Sequence, residues 1–179
     1  MHMILIQLIG FLGLLFFLIS YQVRTNHKLF AAQTGGNLTF MIQFILLHAY
    51  SGCLNLALGV ARNIMLMGYN KSRVIRWKGW PVLFTAAYAA VTWVTWRGWT
   101  SLLPFAAMTS CTIAYWTNNA RLIRAANLFC ACPCWIIYDS WFHSIAGVLN
   151  ESITMLSILI SIWRFGWKAM GDPNSGFED

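Results

Sequence analysis

Three ionisable side chains stand alone inside long apolar stretches: Arg62, Asp139 and Glu151. A charge at membrane depth costs about 2.5 to 3.5 kcal/mol on insertion scales, so such a group faces a partner or a polar cavity. Arg62 carries five N–H donors in a rigid fork, which suits a carboxylate. Glu151 and Asp139 are carboxylates that would meet it, or would hold substrate or a proton. The spacing permits a pair between Arg62 and Glu151 across two halves of the chain. It reads as a structural lock, as a substrate or proton site, or as charges snorkelling toward an interface.

Around these charges lie uncharged groups able to hold a polar solute. Asn55 and Asn150 each end a Gly-x-Leu-Asn stretch. Their amides donate and accept, so they serve either as a clamp facing one another or as glue between helices. Trp135 and Tyr138, one helical turn apart, either stack on a ring or pack outward. Cys130, Cys132 and Cys134 are soft-metal ligands by type. Their spacing is not that of a zinc ribbon, and free Cys in an apolar helix behaves as a small hydrophobe. His48 and His143 flank helix ends as interface residues. The sequence has no Gly-rich phosphate loop, no His-Glu-x-x-His, and no paired carboxylates outside apolar stretches except in the tail, so neither an enzyme nor a cofactor is expected.

The elements that must position these residues follow from composition. Of 179 residues, 59% are hydrophobic and 9% charged, where soluble domains carry about a quarter charged. The net charge of +7 does not point to nucleic acid, because the cations fall between apolar runs and form no basic face. The expected partners are the lipid bilayer and a small-molecule solute. Seven runs have the length of a membrane span: about 3–21, 29–49, 52–69, 80–96, 101–115, 122–142 and 145–165. The first lacks the basic start and cleavage site of a signal peptide and is read as a retained helix. The second is unusually polar, with Gln33, Asn37 and Gln43, and must face protein or a cavity.

With seven spans, one side collects Arg24, Lys28, Lys71, Arg73, Arg76, Lys78, Arg121, Arg124, Arg164 and Lys168, and the other only Arg97. Cations are retained in cytoplasmic loops, so the N-terminus is placed outside and the C-terminus in the cytoplasm. Gly52-x-Leu54-Asn55 and Gly147-x-Leu149-Asn150 mark an internal repeat, together with Ala31-Ala32-Gln33 and Ala125-Ala126-Asn127. The expected architecture is all-α, with seven transmembrane helices as 3+1+3 parallel triple-helix bundles, a layout found in transporters. Residues 1–69 form the first bundle, 70–99 a basic loop and linker helix, 100–168 the second bundle, and 169–179 a polar tail.

Trp135-Ile136-Ile137-Tyr138-Asp139, with Asn150-Glu151 further on, resembles the Trp-x-x-Tyr-Gly and later Asn of the SWEET and PQ-loop superfamily. Tyr21-Gln22 sits where that superfamily has its Pro-Gln dipeptide. Gln33, the Ala61-Arg62-Asn63 triplet and the Trp-x-x-Tyr segment are similar to the bacterial inner-membrane YgjV-like family. The resemblance implies a 3+1+3 bundle in the bacterial inner membrane and suggests a homo-oligomer, which no residue marks; the repeat and the buried polar residues point to a facilitator or proton-coupled carrier for a small polar metabolite. The departures are Tyr21 for the proline and Asp139 for the glycine, so a sugar pocket does not carry over intact. The site residues expected on these grounds are Asn55, Asn150, Glu151, Arg62, Asp139, Trp135, Tyr138 and Gln33. A receptor or scaffold of the same fold, and a thiol-based metal handler, are the rival readings.

Overall fold

The structure is a computed structural model that describes residues 2–20, 26–69, 72–117 and 119–165. The expectations placed on Tyr21-Gln22, Arg24, Lys71, Lys168 and the tail 169–179 lie outside these residues. Among the described residues every element is helical: α1 (His2–Ser20), α2 (Asn26–Leu46), α3 (Tyr50–Leu66), α4 (Trp80–Val94), α5 (Leu102–Trp116), α6 (Ala120–Ala126), α7 (Cys132–Trp141) and α8 (Ile145–Phe165). The protein is all-α. A π-helical segment, Asn127–Ala131, joins α6 to α7 as one continuous rod, with the Cys132 N–H donating to the Asn127 carbonyl. Pro133 accounts for this widened turn, because its ring has no N–H to give and would clash with the carbonyl four residues back.

Taken singly, no helix among the described residues is long and apolar enough to cross a membrane. Helices α4 and α5 have 15 residues each, a rise of about 22 Å against a hydrocarbon core of about 30 Å. The 21 residues of α2 include the polar set Gln33, Asn37 and Gln43. Yet two helices carry exposed apolar stripes at helical spacing along most of their length. On α1 these are Ile4, Leu8, Leu12, Leu15 and Ile19, all more than half exposed; on α8 the stripe runs Ile145, Leu149, Leu156, Ile160 and Trp163.

Packing follows the chain. Helix α1 lies on α2 and α2 on α3; α4 bridges α3 and α5; α7 lies on α5 and α8; α1 meets α8 and α3 meets α5 between the two halves. Close approach of α1 and α2 rests on small residues. A Cβ at Gly36 would strike the Phe17 ring and stand 3.3 Å from the Gly13 carbonyl, so only glycine admits this contact.

The two halves share one turn. After α2 the His48 N–H donates to Ile45 O (3.1 Å) and Ala49 N–H to Phe44 O (2.8 Å); after α7 the His143 N–H donates to Ser140 O (3.2 Å) and Ser144 N–H to Asp139 O (2.8 Å). This is the Schellman pattern, which needs a left-handed residue just past the helix end. His48 and His143 take that place, each at φ 57°, where glycine is usual. Each turn leads into a helix whose third residue is glycine, Gly52 or Gly147. The turn therefore extends the repeat beyond Gly-x-Leu-Asn.

Candidate functional site

The first residues of a helix have N–H groups without partners inside the helix, and the two copies solve this differently. Ser144, before α8, accepts from the Gly147 N–H at 3.3 Å. Ala49 stands at the same place before α3 and has no oxygen to offer. Instead the Tyr138 hydroxyl reaches over from α7, accepts from the Gly52 N–H at 2.7 Å and donates to the Ala49 carbonyl at 3.2 Å. The absence of a Cβ at Gly52 leaves room for the Tyr138 ring. The counterpart contact runs the other way, from Ser144 Oγ on the second turn to Gln43 Oε1 on α2 at 3.1 Å. Gln7 of α1 adds to this end, donating to the His143 carbonyl and accepting from the Ile145 N–H. Arg97 lies over the Tyr50 ring at 4.8 Å at the same end.

Below this hydrogen-bonded belt is a cavity of about 110 Å³, lined by Arg62, Asp139, Asn150, Glu151, Gln33 and Trp135, and also by Asn37, Asn63, Tyr115 and Asn127. A polar void of this size holds several waters or a small solute. The lining aromatic Phe44 stacks on Trp135 at 5.8 Å with 11° between the planes, and meets Tyr138 edge-on.

Arg62, 4% exposed, is held on three sides. Its Nε and Nη2 donate to Asn63 Oδ1 at 3.2 and 3.0 Å, and its Nη1 donates to Thr112 Oγ1 at 3.1 Å. Thr112 in turn donates to the Tyr88 hydroxyl at 3.3 Å, which ties α4 into the network. The guanidinium lies 4.7 Å from the centre of the Tyr115 ring. The expected Arg62 to Glu151 pair is not made: among the described residues no arginine or lysine nitrogen comes within 4.0 Å of a carboxylate oxygen. The reason is local, since Asn63 and Thr112 already hold the fork against α5. Glu151 instead accepts from Asn150 Nδ2 at 3.0 Å and neighbours the Cys132 thiol.

Asp139, 3% exposed, packs its carboxyl against Gly147, where a Cβ would collide with it. Its Oδ1 is buried without a hydrogen-bond partner in the structure. On its other side Asp139 borders a groove between α1 and α8, lined by Ile4, Gln7, Leu8, His143 and Leu149.

The two asparagines do not face one another. Asn150 lines the cavity, whereas Asn55 turns away from it, donating to Ser51 O at 2.8 Å and to Thr92 Oγ1 of α4 at 3.4 Å. The linker helix breaks the symmetry here: α3 has α4 beside it, whereas among the described residues α8 packs chiefly on α7 and α1. Tyr138 likewise belongs to the belt and not to the cavity wall. The cavity gathers Asn63, Tyr115 and Asn127, which sequence reasoning missed as site residues; Cys111 and Tyr115, four apart on α5, were the available sign for that wall alone.

Cys130, Cys132 and Cys134 are free thiols. Cys132 faces Glu151, while Cys130 donates to the Ala106 carbonyl at 3.7 Å and neighbours Cys134. Among the described residues no group of three or more His, Cys, Asp and Glu side chains is placed to hold a metal ion.

Fold and site define an all-helical protein built around a polar cavity, with apolar stripes outside. The model of a family described as bacterial inner membrane protein, Imp-YgjV, matches residues 4–169, and the chain belongs to that family. No curated protein and no solved structure matches the chain.

Proposed function

We propose that the protein is a seven-span carrier of the bacterial inner membrane, a facilitator or proton-coupled transporter that passes a small polar solute between two triple-helix bundles. One observation carries the reading: Arg62, Asp139 and Glu151 line a single cavity without pairing with one another, inside a protein whose outer helices expose continuous apolar stripes. A fold that needed only stability would have little use for three such groups, because apolar residues of similar volume serve a core as well or better. The seven rods act jointly as spans, each supported by neighbours where it is short or polar. The repeated turns and the layout of contacts support a 3+1+3 arrangement of the SWEET and PQ-loop kind.

In this reading the belt around Tyr138 closes the outer end, and the groove beside Asp139 marks the route that opens when the belt parts. Exchange of labelled solute across proteoliposomes containing the purified protein tests the carrier reading; binding without any exchange of the bound solute would leave a receptor of the same fold.

Orientation rests on the cations. The end that carries the His48 and His143 turns holds Arg97, while Arg73, Arg76 and Lys78 follow α3 at the other. A reporter active only in the cytoplasm should be active when fused after Lys168 and silent when fused before Met3. Activity at both ends would mean an even number of spans.

A further inference from the structure

We infer that the cavity takes a small zwitterion whose carboxylate meets Arg62 and whose N–H-bearing ammonium meets Asp139 and Glu151, as in a short α-amino acid. The inference rests on the carrier reading above for its biological sense, but its chemistry is independent of transport.

Arg62 uses one N–H on Nε, one on Nη1 and one on Nη2 within the protein. A guanidinium has five, so two remain, one on each terminal nitrogen, and a carboxylate accepts such a pair in the two-pronged geometry. Among the described residues Arg62 is also the only cation on the cavity wall. The rest of the wall carries two carboxylates, and the space between keeps them beyond ion-pair distance of Arg62. Opposite charges held apart across one cavity suit a ligand that bridges them with the opposite polarity at each end. A simple anion would leave the carboxylates without a counter-charge, and a simple cation would leave the arginine without one.

The ammonium end is specified further. Asp139 Oδ1 is buried and lacks a donor, so an N–H of the ligand would satisfy it, which a trimethylated ammonium cannot give. The stacked faces of Phe44 and Trp135 line the same cavity and suit a cation beside them. At about 110 Å³ the void favours a short side chain.

The test is equilibrium binding to the full chain in detergent, with L-alanine, glycine betaine, acetate, ethylammonium and glucose as probes. L-alanine should bind more tightly than each of the others. Arg62→Gln and Asp139→Asn should each weaken L-alanine by about 30-fold or more, as loss of one partner from a buried charge contact does. Betaine, glucose or either half-molecule binding as tightly as L-alanine would overturn the inference, and so would L-alanine binding that survives both substitutions. Should a variant fail to fold, the ranking of probes on the unaltered protein still decides. Exchange in proteoliposomes then separates the two readings: exchange of glucose but not L-alanine sinks the zwitterion and keeps the carrier, whereas L-alanine that binds but does not exchange sinks the carrier and keeps the zwitterion.

Discussion

Arg62→Ala should lower stability by about 3 kcal/mol or more, the largest loss expected from any single side chain in the cavity. The substitution removes hydrogen bonds from a charged donor to Asn63 and Thr112, each worth about 1.5 to 3 kcal/mol when made, and leaves those oxygens buried. It also removes the cation from the Tyr115 face and opens a void beside α5. Glu151→Ala costs less, because its protein contacts are the neighbouring Asn150 amide and the Cys132 thiol. Combining the two should not restore stability. Had the residues formed a buried ion pair, removing both would recover most of the loss. Thermal or chemical unfolding in detergent of the two single variants and the double variant measures this, and recovery to near the unaltered value would show that Arg62 and Glu151 meet.

Tyr138→Phe should cost about 1 to 3 kcal/mol, the penalty for leaving a buried N–H without an acceptor. The ring would stay packed among Phe44, Trp135 and Phe142. Only the oxygen goes, and with it the cap on the third residue of α3 and the bond to the Ala49 carbonyl. The second copy supplies the remedy, since Ser144 does for α8 what Ala49 cannot do for α3. Adding Ala49→Ser to Tyr138→Phe should return about 1 kcal/mol, the usual worth of a serine cap over alanine. Unfolding measurements on both variants read the effect. A Tyr138→Phe variant as stable as the parent would mean that the hydroxyl does not cap α3.

Much of this was legible in the residues. The helix ends fall within a few positions of the apolar runs, because Arg, Lys, Asn, Gly and Trp mark the boundaries sharply. The π-helical turn was not, since Pro133 announces an interruption without saying whether the rod breaks, bends or widens. Nor were the left-handed histidines, because that position usually takes glycine; His48 and His143 at matching places in the repeat were the available sign. Arg62, Asp139 and Glu151 stood out as charges in apolar sequence. Their partners did not, because pairing was sought between opposite charges, whereas Asn63, Thr112 and Tyr115 satisfied Arg62 with neutral groups nearby. Asn55 misled for a related reason: repeat symmetry equated it with Asn150, and the linker helix that breaks the symmetry contributes Thr92 from outside both copies.

Filling the cavity tests the account most directly. Ala131, 3% exposed, lies on its wall, and in Ala131→Leu the added carbons would occupy the space assigned to solute. The measurement is exchange of labelled L-alanine by proteoliposomes, alongside unfolding of the same preparations. The account predicts that Ala131→Leu keeps the parent's stability and loses exchange. Exchange at the parent's rate by a stably folded Ala131→Leu variant would contradict the claim that solute passes through this cavity.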